Sequence, residues 1–240
     1  MDDQLRYDYA GDSRVLEGAD WIGCRPAGLR LHYHAETQLS VVWNGCRDYC
    51  IGAHRLRLAP GHILAIGGLV AHRALPTQGR QVISAEFYLP PDSLPDGLAD
   101  RLARSAYLLA AAPALLDIAP GAVGDLVAGG LSRHAPRWTG PARPVARAPG
   151  GTGGGAAAAR LSGLSREGFI RAFARQFGMT PHAYDLNARL NAGRQMLRDG
   201  ARISEAAYAA GFCDQSHFGR MFLAFFGATP GRFRAAHHPD

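Results

Sequence analysis

Lysine is missing: all 26 basic residues are arginine, set against 20 acidic ones, which reads as the imprint of a GC-rich genome more than as chemistry. Cysteine is scarce. Cys24, Cys46, Cys50 and Cys213 make no C-x-x-C pair, and Cys46 and Cys50 would stand too far apart along one strand to bridge. Four reduced thiols in packing roles are expected, which excludes a disulfide scaffold. No apolar run approaches the roughly 20 residues of a membrane span. The opening MDDQLRYDYAGD lacks the basic and apolar regions of a signal peptide, so a cytoplasmic protein with no membrane partner is expected. Equally lacking are a Ser/His/Asp grouping, a phosphate-binding loop and a carboxylate pair.

What is present divides unevenly. A chain of 240 residues that is 47% hydrophobic suits two modest domains, each with a core of its own. Residues 1–131 hold 11 arginines against 14 acids, 132–155 hold 4 arginines and no acid, and 156–240 hold 11 arginines against 6 acids. The C-terminal half is therefore the half suited to a polyanion.

The most informative stretch is Ile203 to Arg234. Ile203, Ala206, Ala207 and Ala210 have the spacing of one buried helical face. Gly211 ends that helix and Asp214 can cap a second, giving helix, tight turn, helix. Phe218, Met221, Phe222 and Phe225 share one face of the second helix, which leaves Gln215, Ser216, Gly219 and Arg220 pointing elsewhere. Such side chains reach base edges in a major groove. Thr229 then caps a third helix, with Pro230 at its first position.

The pattern occurs twice. Phe169, Phe173, Phe177, Gly178, Thr180, Pro181 and Tyr184 map onto Phe218, Phe222, Phe226, Gly227, Thr229, Pro230 and Phe233 at one constant offset of 49 residues. Upstream, Ala158, Ala159, Gly163 and Leu164 match Ala206, Ala207, Gly211 and Phe212 one residue out of step. That marks a duplicated supersecondary unit. Between the copies, Leu186, Leu190 and Leu197 lie on one stripe of a joining helix. The phrase GFCDQSHFGRMF followed by FGATPGRFR resembles the signature of the AraC/XylS-type transcription regulators, whose DNA-binding part is two helix-turn-helix units joined by one helix.

The N-terminal region reads as β. Leu31 to His34, Thr37 to Trp43, Arg47 to Ile51, His54 to Leu58, Ile63 to Ile66 and Gln81 to Leu89 are short β-rich runs parted by turn signals such as Asn44-Gly45 and Pro60-Gly61. A barrel or sandwich is expected. The run HYHAETQLSVVWNGCRDYCIGAHRLRLAPGHILAIGGLVAH resembles the cupin-type effector-binding barrel that precedes the DNA-binding part in many AraC-type regulators. The fold implied is α+β in two domains: an N-terminal cupin-like β-barrel with following helices, and a C-terminal all-α domain of two helix-turn-helix units joined by a helix. Expected boundaries are 1–92 for the barrel, 93–131 for a helical connector able to dimerise, 132–155 for a Pro/Gly/Arg-rich linker and 156–240 for the DNA-binding domain.

Alternate positions of one strand share a face, so His32, His34 and Glu36 can point into the barrel, with His72 arriving from a later strand. Those four are the residues that would hold zinc or iron, though no cofactor is expected. The other reading makes His32, His34, Trp43 and His72 the lining of a small-molecule effector pocket, to which Trp21, Tyr33 and Tyr49 can add.

For DNA, the resemblance assigns base-reading positions to Glu167, Ile170 and Arg171 in the first unit and to Gln215, Ser216, His217, Gly219 and Arg220 in the second. Arg166 is likewise free to face DNA, and Arg171 and Arg220 can pair bidentately with guanine. Arg175, Arg194 and Arg232 are expected on phosphates. Two function classes stand. The first is a non-enzymatic transcription regulator bound to double-stranded promoter DNA, working as a homodimer, with RNA polymerase a further partner to expect. The other is a metal-dependent cupin enzyme fused to a DNA-binding domain.

Overall fold

A computed structural model describes residues 4–8, 17–23, 30–52, 54–76, 81–90, 94, 97–113, 116 and 163–238. Its N-terminal half is a two-sheet cupin-like barrel. Strands β1 (Gln4–Asp8), β2 (Glu17–Gly23), β3 (Thr37–Asn44), β4 (Arg47–Ile51), β5 (His54–Leu58), β6 (His62–Ile66), β7 (His72–Ala74) and β8 (Val82–Leu89) are followed by helix α1 (Leu98–Arg104) and strand β9 (Tyr107–Ala111). The larger sheet runs β1-β2-β8-β3-β6-β9 and the smaller β5-β4-β7. Alternation explains the placement: in β4, Arg47, Tyr49 and Ile51 are buried while Asp48 and Cys50 face outward. One core, under α1, joins Leu39, Val41, Ile63, Phe87, Leu98, Leu102 and Leu108. Another joins Val42, Tyr49, Ile51, Leu58, Leu64 and Ile66 between the sheets.

Three expectations are corrected. Leu31 to His34 is not a strand but an extended segment holding one bridge, His32 with His72, through N–H···O bonds of 3.0 and 2.8 Å. Residues 107–111, read as part of a helical connector, form β9, which pairs antiparallel with β6 from Ile66↔Tyr107 to His62↔Ala111. The sheet therefore runs past residue 92. The Leu/Ala composition of this strand favours helix locally, but the open edge of β6 offers the backbone a ladder that outweighs propensity. Third, β1, β2 and β7 carried no strand signal in the sequence. The second connector helix (apart from Leu116), the linker 132–155 and the first helix of the first repeat, 156–161, lie outside the described residues, as do Cys24 and the side chain of Trp21.

The C-terminal half holds α2 (Arg166–Phe177), α3 (Pro181–Arg198), α4 (Ile203–Ala209), α5 (Gln215–Phe226) and α6 (Pro230–His237). The caps fall where the repeat put them. Ser165 accepts from Gly168 N–H, Thr180 from Ala183, Asp214 from His217 and Thr229 from Arg232, with Pro181 and Pro230 in the first turns. At Gly211, just past α4, φ is +76°, a left-handed backbone that only glycine adopts freely, and the chain turns there into α5. The ring ladder is duplicated in space. Phe173 meets Phe169, Phe177 and Tyr184 at 5.7, 4.6 and 5.6 Å between centroids; Phe222 meets Phe218, Phe226 and Phe233 at 5.4, 4.7 and 5.4 Å. Among the described residues no helix is long and apolar enough to cross a membrane.

The second unit docks on the joining helix at Gly193, where an added Cβ would stand 2.7 Å from Cε2 of Phe218. Gly193→Ala is accordingly expected to destabilise this half by about 1–3 kcal/mol through overpacking. Urea unfolding checks it, and a variant as stable as the parent would show that α3 and α5 are less tightly seated than this.

Candidate functional site

The face of α5 opposite its rings is free. Gln215, Ser216, His217 and Arg220 are exposed and Gly219 is half-exposed with open space above its Cα. On α2 the matching positions Arg166, Glu167 and Arg171 are exposed and Ile170 half-buried. Arg175 and Arg232 are exposed too. Each helix starts from a capped, well-seated turn. Behind the second, Arg189 of α3 donates from Nε to Ala210 O (2.8 Å) and from Nη2 to Gly211 O, with its guanidinium 4.5 Å over Phe212. These bonds satisfy carbonyls left open at the end of α4 and fix the angle at which α5 leaves the turn. Arg194, expected on phosphate, is corrected: it is 3% exposed, its guanidinium 4.6 Å from the ring of Tyr88, 5.0 Å from Phe226 and 5.6 Å from Phe233. The position facing DNA in sequence terms is turned into the joint between domains.

That joint is built on the segment 30–38. Odd and even residues take opposite sides of it. Tyr33 enters the DNA-binding half, stacks on Tyr184 at 5.1 Å and shares a core with Ala71, Phe169, Phe173, Met179 and Ala188. Its backbone is held from α3: Tyr33 N–H donates to Asn187 Oδ1 (2.6 Å), and Tyr33 O accepts from Asn187 Nδ2 (3.1 Å) and Asn191 Nδ2 (2.8 Å). The first repeat is thus completed by the barrel: Leu164, counterpart of the buried Phe212, is 51% exposed, and a barrel tyrosine supplies the missing packing instead. The second repeat has a separate core.

His32 and His34 turn the other way, into the barrel, and meet His72. Each ring is fixed by a backbone carbonyl: His32 Nδ1 to Arg30 O at 2.9 Å, His34 Nδ1 to Glu36 O at 2.9 Å, His72 Nδ1 to Val70 O at 2.8 Å. Gln38 Oε1 lies 3.1 Å from His34 Nε2 and 2.9 Å from His72 Nε2, and Gln38 Nε2 donates to Ser40 Oγ. Burial lowers the pKa of all three imidazoles, His32 to about 3 with help from its His34 neighbour, so they are neutral near pH 7. One nitrogen from each lies within 4.8 Å of the other two, a set able to hold a metal ion. Glu36, expected as a fourth ligand, is corrected: its Oε1 takes Arg198 Nη1 of α3 at 2.8 Å. Burial pushes Glu36 up, but Arg194, His34 and Arg198 together outweigh it and hold the carboxyl at about 2.

The cavity beside the histidines measures about 330 Å³, part of it open to solvent, and is lined by His32, Gln38, Tyr49, His72, Glu86 and Tyr88 from the barrel. Phe225 and Phe226 of α5 close it, with the Phe226 ring 6.5 Å from that of His32. Trp43, expected in the lining, is corrected: it packs half-buried against the core around Leu39. Below the sheet, the buried Arg47 pairs with Glu86 at 3.2 Å.

Residues 158–236 match a family described as a helix-turn-helix domain. This stretch is an AraC/XylS-type DNA-binding domain. Among curated relatives of the AraC/XylS-type domain here, an uncharacterized HTH-type transcriptional regulator, YbfI of Bacillus subtilis (strain 168), is 40% identical over 57 residues, 24% of this chain and 21% of that one. The HTH-type transcriptional regulator MtrA of Neisseria gonorrhoeae is 33% identical over 72 residues, 30% of this chain and 24% of the relative. The chain therefore spans less than a third of the length of the curated relatives it matches. Across both domains, the fold is similar to that of ToxT from Vibrio cholerae strain SCE256, solved with an unsaturated fatty acid bound, at TM-score 0.52 and 9% identity over 98% of this chain and 97% of that one.

Sequence reasoning on this AraC/XylS-type chain missed Gln38, Glu86, Asn187, Asn191 and Arg198. The only signal available was negative: Asn187 and Asn191 stand four apart in a joining helix whose apolar stripe they interrupt. Polar residues inside an apolar stripe need partners, and only the fold names them.

Proposed function

We propose that this chain is a sequence-specific transcription regulator that binds double-stranded promoter DNA through α2 and α5 and takes its signal in the barrel pocket. The observation carrying this reading is the duplicated cap-and-ring module, each copy with a second helix whose free face bears arginine and small polar residues. Two major grooves on one face of B-DNA lie about 34 Å apart, a spacing that a duplicated module joined by a rigid helix can answer. ToxT, similar in fold, is solved with a bound fatty acid, which supports a small-molecule effector here. The matched relatives are transcription regulators, and a pocket closed by the DNA-binding half suits sensing better than turnover. The reading includes a homodimer, RNA polymerase as a partner, and a cytoplasmic location with the chromosome.

Arg220→Ala is expected to cost about 1–3 kcal/mol on duplex selected by the wild-type chain and to relax preference at one base pair. Equal losses on selected and random duplex would reduce Arg220 to a phosphate contact. Wild-type affinity for either duplex is expected to fall steeply with salt, because bound phosphates release counterions. A chain that binds no duplex at low salt would end the reading.

A further inference from the structure

We propose that the pocket binds a divalent transition-metal ion through Nε2 of His32, His34 and His72, with the Gln38 amide oxygen beside them, and that this ion is the signal the DNA-binding half reads. This rests on the regulator reading above and names its effector class.

The tautomers come first. A carbonyl only accepts, so the contacts from Nδ1 of His32, His34 and His72 to Arg30 O, Glu36 O and Val70 O put the ring proton on Nδ1 in each case. Each Nε2 then carries a bare lone pair. A backbone carbonyl behind each imidazole is the outer arrangement that orients histidines bound to metal. The three nitrogens are already gathered within 4.8 Å. Between two of them stands another acceptor, Gln38 Oε1, at 3.1 and 2.9 Å, its own NH₂ turned to Ser40 Oγ. Lone pairs so placed repel one another unless a positive centre sits among them. The competing, metal-free account reverses the amide so that its NH₂ donates to the rings.

The donor set selects the ion. Neutral imidazoles with one amide oxygen suit zinc, cobalt, nickel or ferrous iron, whereas magnesium and calcium prefer oxygen throughout. An ion also fits the free space better than a bulky organic effector does.

The readout follows from what surrounds the site. Arg194, a buried cation of α3, lies against Tyr88 and Phe226, and Phe226 closes the pocket over His32. A second positive charge in the pocket repels Arg194, and an ion on His32 and His34 pulls on the segment whose Tyr33 and Glu36 hold α3. Ion binding and the seating of both repeats are therefore coupled. Such couplings amount to a change of about 5–150-fold, and the effect of DNA on the ion must equal that of the ion on DNA.

The test is a titration of the metal-stripped full-length chain with cobalt chloride, followed by visible absorption and calorimetry. One ion per chain with ligand-field bands is expected, lost in His34→Ala and His72→Ala. Gln38→Glu separates a site from a relay without relying on those variants folding. A carboxylate donor should tighten cobalt at least about tenfold, whereas in the metal-free account it only buries a charge. Affinity for duplex selected by the stripped chain should shift at least about fivefold with cobalt. No cobalt uptake by the wild-type chain, or uptake unaffected by Gln38→Glu and His72→Ala, overturns the site. Uptake that leaves duplex affinity unchanged overturns its role as signal. Failure of the stripped chain to bind any duplex in low salt counts instead against the regulator reading, so the two failures are told apart.

Discussion

Phe222→Ala is expected to remove about 3–5 kcal/mol from the second helix-turn-helix unit and with it nearly all DNA binding. The ring is 0% exposed and touches three others, Phe218, Phe226 and Phe233, with centroids 4.7 to 5.4 Å away. No neighbour can swing into the cavity, since each is pinned by the same cluster and by Gly193 behind Phe218. A domain of this size has a total stability of the order of 5–10 kcal/mol, so the loss is comparable with the whole. Unfolding in urea, followed by circular dichroism at helical and strand wavelengths, is expected to separate into two transitions, with the barrel's retained. A loss under about 1 kcal/mol would mean that the second unit is not packed around this ring. The equivalent change in the first repeat, Phe173→Ala, is expected to differ in kind. Phe173 shares its core with Tyr33 and Ala71, so its removal loosens the joint between domains as well as the unit itself.

Asn187→Leu is expected to open that joint while both domains stay folded. Leucine keeps the volume but leaves the buried Tyr33 N–H with no acceptor, because Asn187 Oδ1 takes it at 2.6 Å and Asn191 serves only the carbonyl. A buried donor stranded in this way costs about 1–3 kcal/mol, which is about 5–150-fold in the balance between seated and released domains. Hydrogen exchange reads this directly. The Tyr33 amide should lose protection in the variant while amides of β3 and α5 keep theirs. Unchanged protection at Tyr33 would show that the segment is held by the ring stack with Tyr184 and not by the asparagine clamp. Asn191→Ala is expected to be milder, since Tyr33 O retains Asn187 Nδ2 in that variant.

Much of the architecture was legible because its causes are local. A cap acts on an N–H two or three residues on, a helical face repeats every three or four residues, and a strand alternates every two. Asp214, Thr229, Phe218 and Phe222 therefore announced their places, as did four of the strands within a residue or so of their ends. β9 did not, because Tyr107–Ala111 becomes a strand only by meeting the edge of β6. The free faces of α2 and α5 were legible for the same reason as the rings: what does not point inward on a short helix points out.

What the chain decided by itself, then, was the repeat, the capped helices with their buried rings, and most of the alternating strands. The tertiary structure alone decided where the polar side chains found partners. Arg194 went to the joint instead of a phosphate, Glu36 to Arg198 instead of a metal, and Gln38 to the histidines. Tyr33 and Asn187 are 154 positions apart and Glu36 and Arg198 162 apart, and no pattern of neighbours encodes such a pairing. The reason is energetic: a buried charge or amide is stable only beside a complementary group, and which group is near is a property of the whole packed chain.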